Sequence, residues 1–150
     1  MNRNALKDTN QIQDWREGEP MTKILIVEDE RIVAEDILNR LHTLGYTVAG
    51  VASSGEEALE KVRRQRPDLV LMDIVLRGDM DGTTTAELIR DHSDIPVIFV
   101  TAYTTKEILE KSKTEPYRYV VKPFEDTEIK TAIEKALFIH KKEKEGNQCL

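Results

Sequence analysis

Leu69-Val70-Leu71-Met72-Asp73 is the stretch on which the reading of the fold turns. Four consecutive apolar residues, opened by Pro67-Asp68 and closed by a polar loop, have the pattern of a strand buried on both faces. Its terminal acid falls where open α/β sheets hold their ligands, in the crevice beyond the carboxyl ends of the strands. A strand-end aspartate also serves ordinary turn chemistry. The other strands decide between the two by what they bring to the same edge.

Upstream, Ile24-Leu25-Ile26-Val27 is a second buried run and ends in Glu28-Asp29-Glu30. Ile32, Val33, Ile37, Leu38, Leu41 and Leu44 then recur at helical spacing, and Thr47 to Ala52 forms a short strand. Ser54-Gly55-Glu56-Glu57 has the form of a capping box and opens a helix that Pro67 ends. Downstream of Asp73, the loop Arg77-Gly78-Asp79-Met80-Asp81-Gly82 leads into a helix carrying Ala86, Leu88 and Ile89, with Asp81 as its expected N-cap. Val97 to Thr101 is the fourth strand, and Thr104-Thr105-Lys106-Glu107 is a second capping-box match, starting a helix to about Ser112. Tyr117 to Val121 is the fifth strand, cut by Lys122-Pro123, and a last helix with Ile129, Ala132, Ile133, Ala136 and Leu137 on one face is expected to end near Lys142. Five β-α units with short connections predict an α/β fold, a doubly wound parallel five-stranded sheet with helices on both faces. Right-handed crossovers then align all five carboxyl ends on one edge.

Composition narrows the function. The chain has 150 residues, 33% charged and 5% aromatic, with a formal net charge of −6, which disfavours a nucleic-acid surface. Cys149 is the only cysteine, so no disulfide framework or cysteine metal site is available. No apolar run approaches the roughly 20 residues of a membrane helix, and no secretory signal precedes the first strand. The expected location is cytoplasmic, without membrane attachment. Residues 1–20 are polar, with Leu6, Ile12 and the only tryptophan, Trp15, scattered among them, and are expected to form a flexible extension. His42, His92 and His140 fall on three different helices and are assigned to neither metal nor catalysis.

At the shared edge the first strand delivers Glu28 and Asp29, the third Asp73, the fourth Thr101 and the fifth Lys122. Clustered carboxylates repel unless a cation intervenes. An all-oxygen, carboxylate-rich site suits a hard ion that keeps some waters, and Mg²⁺ is the expected cofactor. One carboxylate can then act as a nucleophile toward a phosphoryl group, with a lysine and a hydroxyl holding the transferring oxygens.

Together ILIVEDE (Ile24 to Glu30), LVLMD (Leu69 to Asp73), Met80-Asp81-Gly82, Val100-Thr101-Ala102 and YVVKPF (Tyr119 to Phe124) resemble a two-component response-regulator receiver domain, similar to CheY, over about residues 22–142. The resemblance implies a flavodoxin-like strand order 2-1-3-4-5, for which the chemotaxis receiver is a standard example. It divides the chain into an extension (1–20), a receiver domain (21–143) and a C-terminal tail (144–150). It implies Asp73 as phosphoacceptor, with Lys122 and Thr101 assisting. Glu28, Asp29, Asp73 and the main-chain carbonyl of Val75 would be the metal ligands, Thr101 and Tyr119 the switch pair, and Lys122-Pro123 a cis peptide bond. Where many members of the family carry a shorter Pro-containing turn after the acceptor, this chain has Arg77-Gly78-Asp79. Val75 and Tyr103 stand two residues past the acceptor and the switch threonine, positions that in this family influence how water reaches the acyl phosphate, and an apolar and a bulky aromatic residue there imply slow self-dephosphorylation.

The implied function is a signalling module that takes a phosphoryl group from a histidine-kinase phosphohistidine and switches at the face of the fourth helix, fifth strand and fifth helix. It is not an enzyme beyond self-phosphorylation from phosphodonors and self-dephosphorylation. Implied partners are a sensor histidine kinase or phosphotransfer protein, a downstream protein target or fused output domain, and a second copy through the switching face. The alternative is an Mg-dependent aspartyl-phosphate phosphohydrolase of the haloacid-dehalogenase type. That chemistry needs Asp-x-Asp after a strand, whereas Asp73 is followed by Ile74-Val75, and the chain offers no cap domain. A nucleotide- or flavin-binding domain would need a Gly-rich loop after the first strand, where Glu28-Asp29-Glu30 would repel a phosphate.

Overall fold

The computed structural model describes residues 21–148. The extension assigned to 1–20, with Trp15, and Cys149 lie outside the described residues. Strands β1 (Lys23–Val27), β2 (Thr47–Ala52), β3 (Leu69–Met72), β4 (Val97–Thr101) and β5 (Tyr119–Val121) alternate with helices α1 (Arg31–Thr43), α2 (Gly55–Gln65), α3 (Gly82–His92), α4 (Lys106–Thr114) and α5 (Asp126–Gln148). The strands form one parallel sheet in the order β2-β1-β3-β4-β5, the expected doubly wound order.

β3 is the centre of the sheet, and every one of its residues is buried. Its alternating side chains divide between two cores. Leu69 and Leu71 pack with Ile37 and Leu41 of α1 and with Ile129, Ile133 and Ala136 of α5. Val70 and Met72 pack with Ala58 and Val62 of α2 and Ala86 and Ile89 of α3. Cover on both faces is why the run is apolar throughout rather than alternating. α4 buries no residue, so it is the helix least tied to either core.

Register then delivers the polar residues. Val27 pairs with Met72 and Met72 with Phe99, so one step further on Glu28 and Asp73 leave the sheet side by side. The Asp73 amide donates to the Val27 carbonyl at 3.0 Å and the Glu28 amide to Ala52 at 2.9 Å. On the other side Thr101 pairs with Val121, and the Lys122 amide donates to the Thr101 carbonyl at 2.9 Å.

The caps follow the sequence with one shift. Asp81 caps α3, its Oδ1 accepting from the Thr84 amide at 2.8 Å. Ser54 caps α2, accepting from the Glu57 amide at 3.1 Å, while Glu57 reaches back to the amide and hydroxyl of Ser53. At α4 the cap is Thr105, which accepts from Ile108, and not Thr104; the helix also runs past Ser112 to Thr114. α5 passes its expected end at Lys142 and continues to Gln148, so the residues assigned to a tail from 144 begin as helix. Lys144 reaches Asp94 at 3.9 Å and Lys142 pairs with Glu145 at 3.6 Å, contacts that favour those added turns. No helix among the described residues is long and apolar enough to cross a membrane.

The cap of α2 carries a pH signature. The Ser53 amide bond to Glu57 holds that carboxyl below its ordinary range despite an opposing contribution from burial. A depressed folded-state value means the stabilisation is present above the unfolded carboxyl's pKa and is lost as pH falls through the folded one. Glu57→Gln should therefore cost about half a kcal/mol near neutral pH, small because the side chain is 41% exposed. The difference from wild type should vanish in acid, as read from urea midpoints across the carboxylate range.

Candidate phosphorylation site

The edge beyond β1, β3 and β5 joins three of the expected residues directly. The Lys122 ammonium lies 2.7 Å from Glu28 Oε1 and 3.3 Å from Asp73 Oδ2. Glu28 is the most enclosed, its side chain 1% exposed, and its second oxygen accepts from the Glu30 amide at 3.2 Å. Asp73 is bound at both oxygens, since Oδ1 accepts from the Val75 amide at 3.3 Å. Asp29 takes no part in capping α1, whose N-cap Glu30 makes no side-chain bond. It faces the acids instead: carboxylate oxygens of Glu28, Asp29 and Asp73 all lie within 4.8 Å of one another.

Burial is the main influence on Glu28 and pushes its carboxyl up, against the Lys122 contact that pulls it down. For Lys122, burial acts to lower the ammonium, but the bond to Glu28 and the charge of Asp73 together outweigh it and the net direction is up. Lys122 is therefore a fixed cation. It neutralises one of three converging carboxylates, and Arg77, its Nε 3.5 Å from Asp29 Oδ2, is the only other cation in contact with the cluster among the described residues. Three hard oxygen donors with uncompensated charge fit a divalent ion of the Mg²⁺ type.

Thr101 is buried at the end of β4, but its hydroxyl accepts from the Tyr103 amide at 3.0 Å and makes no hydrogen bond to Asp73. Tyr119 is half-buried at the start of β5, stacked on Phe99 with ring centroids 5.4 Å apart, and Lys111 stands 5.6 Å above its ring. The Lys122-Pro123 bond is cis. Val75 and Tyr103, two residues past the acceptor and the switch threonine, are 51% and 54% exposed.

Two further residues have roles that sequence patterns do not reveal. Arg77 was legible only as part of an unusual loop. Its amide donates to Asp29 Oδ2 at 3.2 Å, and its backbone forms an isolated parallel bridge with Ser54, lashing the β3–α3 loop to the turns after β1 and β2. Gly82 was visible within Met80-Asp81-Gly82. Its amide donates to the Ile74 carbonyl at 2.8 Å, and a Cβ there would collide with the Asp73 carbonyl oxygen.

Comparisons with known proteins identify the family of the chain. A family model described as "Response regulator receiver domain" matches residues 24–134. The chain is 33% identical over 116 residues to the transcriptional regulatory protein PdtaR of Mycobacterium tuberculosis, covering 77% of this chain and 56% of that protein. It is 36% identical over 118 residues to the phyllosphere-induced regulator PhyR of Methylorubrum extorquens, covering 78% and 44%. The chain thus spans about half the length of these curated relatives. The solved signal receiver domain of a modulated diguanylate cyclase from Desulfovibrio desulfuricans superposes with a TM-score of 0.73 at 36% identity, covering 83% of this chain and 99% of that one. The chain belongs to the response-regulator receiver family and is a phosphoacceptor signalling module.

Proposed function

We propose that Asp73 is the phosphoacceptor of this module and that its donor is the phosphohistidine of a sensor histidine kinase or phosphotransfer protein. The observation that carries the reading is the position of Asp73 at the end of the central strand, 3.3 Å from the Lys122 ammonium and converging with Glu28 and Asp29. In the transfer an Asp73 carboxylate oxygen forms a bond to phosphorus. The P–N bond of the donor breaks, and its electron pair leaves with the imidazole. Glu28, Asp29, Asp73 and the Val75 main-chain carbonyl would hold Mg²⁺, which supplies positive charge to the transferring oxygens when bound. The 3.3 Å contact of Lys122 with Asp73 supports a role in meeting a phosphoryl oxygen there.

Thr101 and Tyr119 would carry the change outward. A phosphoryl group on Asp73 offers the Thr101 hydroxyl an anionic acceptor in place of its bond from the Tyr103 amide. Tyr119 follows through its stack on Phe99, which precedes Thr101 by two residues in β4. The readout is the α4–β5–α5 face, where α4 buries no residue and a cavity of about 380 Å³ is lined by residues including Ser112, Tyr119, Val121 and Thr131. That face would meet a downstream protein, a fused output domain or a second copy of the chain. Catalysis is confined to self-phosphorylation from small phosphodonors and a self-dephosphorylation slowed by Val75 and Tyr103. The cysteine-poor composition favours a cytoplasmic setting.

Incubation with acetyl phosphate and Mg²⁺, followed by intact mass, tests the reading. Wild type should gain one phosphoryl group and Asp73→Asn none. A wild type that gains nothing, or an Asp73→Asn variant modified equally at the same site, would overturn it.

A further inference from the structure

Asp29 has two partners on one residue. Its Oδ2 accepts from the Arg77 amide at 3.2 Å and lies 3.5 Å from the guanidinium Nε. The two side chains differ sharply in setting: Asp29 is 13% exposed and Arg77 81%. The Arg77 backbone is pinned by its bridge to Ser54, and Gly78 turns the loop away immediately afterwards at φ +98°. The result is a fixed anchor carrying a solvent-exposed cation beside the site. Lys122, the other cation, is enclosed between Glu28 and Asp73 and has little freedom to reach outward.

We propose that Arg77 is an exchangeable counter-ion that becomes the phosphodonor-binding arm of the site. While no metal is bound, its guanidinium neutralises Asp29. A divalent cation draws on the same carboxylate, so it competes with the guanidinium for the charge of Asp29, and its binding releases that group beside the newly neutralised cluster. The incoming donor carries a phosphoryl dianion, and a planar guanidinium with parallel N–H donors is suited to two of its oxygens. Arg77 therefore opposes metal binding and favours donor binding. This rests on Asp73 being the phosphoacceptor.

The opposition in sign makes the proposal testable. Arg77→Ala keeps the amide bond to Asp29 and the Ser54 bridge, so the loop stays anchored. Mn²⁺ binding, read from the electron paramagnetic resonance signal of the free ion, should tighten about two- to fivefold in Arg77→Ala. At saturating Mg²⁺, the initial slope of phosphorylation rate against acetyl phosphate concentration should fall about three- to tenfold. The limiting rate at high donor should recover to within about twofold, because the loss is in binding rather than in the chemical step. Arg77→Lys keeps the charge without the fork and should fall between the two on both measurements. A loop residue with a merely structural role would weaken metal and donor together. Unchanged or weaker Mn²⁺ binding, or an unchanged donor slope, overturns the proposal. If the wild type takes no phosphoryl group at all, the assignment of Asp73 fails, while the Mn²⁺ measurement still decides the exchange at Asp29.

Discussion

Lys122→Ala is expected to lose about 3–5 kcal/mol of stability at neutral pH, the cost of removing one partner from a buried ion pair. Glu28 is the reason. Its side chain is 1% exposed, its Oε1 has Lys122 at 2.7 Å and its Oε2 has, among the described residues, only the Glu30 amide. Burial already pushes this carboxyl up in the presence of the lysine, and without the lysine it must rise further. With a folded-state value above the unfolded one, the folded protein takes up a proton that the unfolded chain does not. The variant should therefore be closest to wild type at low pH and fall away as pH rises through the raised Glu28 value. Mg²⁺ should return part of the loss at neutral pH by binding the folded state alone. Urea unfolding at about pH 5 and about pH 7.5, with and without Mg²⁺, reads all of these effects. Adding Glu28→Gln to Lys122→Ala should remove most of the pH dependence. A loss below about 1 kcal/mol at neutral pH would mean that Glu28 is not a buried charge held by Lys122.

The same pair shows how far the sequence carries. Five apolar runs, four of them ending in a polar residue at the shared edge, were legible because strand burial and helical periodicity are local patterns. The alignment of their ends needed only right-handed crossovers. Glu28, Asp29, Asp73 and Lys122 meet as those rules require. Their division of labour did not show in the sequence, because which carboxylate lies deepest depends on register and on what packs above it. Thr101 illustrates a different limit: its position at the end of β4 was readable, but a hydroxyl rotates, and here it is turned to the Tyr103 amide. The cap of α4 moved by one residue because adjacent threonines offer nearly equivalent oxygens. The part of α5 beyond its expected end includes a contact, Lys144 with Asp94, that spans fifty positions and leaves no periodic trace. Arg77 and Gly82 belong to the same class, since their roles arise where loops from distant parts of the chain touch.

Gly82 gives the second large expected effect. α3 begins directly beneath the acceptor loop, with the Gly82 amide bound to the Ile74 carbonyl at 2.8 Å. A methyl group there would overlap the Asp73 carbonyl oxygen and come within 2.9 Å of both the Asp73 carbonyl carbon and Ile74 Cα. All three atoms are backbone, so no side-chain rotation relieves the contact, and either α3 or the β3–α3 loop must move. β3 is locked between β1 and β4, which leaves the loop and the first turn of α3 as the yielding parts. Gly82→Ala should lose about 3 kcal/mol, at the upper end of the overpacking range, even though alanine is the better helix former by about 1 kcal/mol. The shift also passes through the Val75 amide that holds Asp73 Oδ1, so Mg²⁺ affinity and acetyl phosphate labelling should fall together. Asp81→Ala is the control. It removes the cap that accepts from Thr84, should lose about 1 kcal/mol, and should leave labelling close to wild type. If Gly82→Ala unfolds within 1 kcal/mol of wild type and labels normally, the close approach of α3 to the acceptor strand is not what fixes the geometry of Asp73.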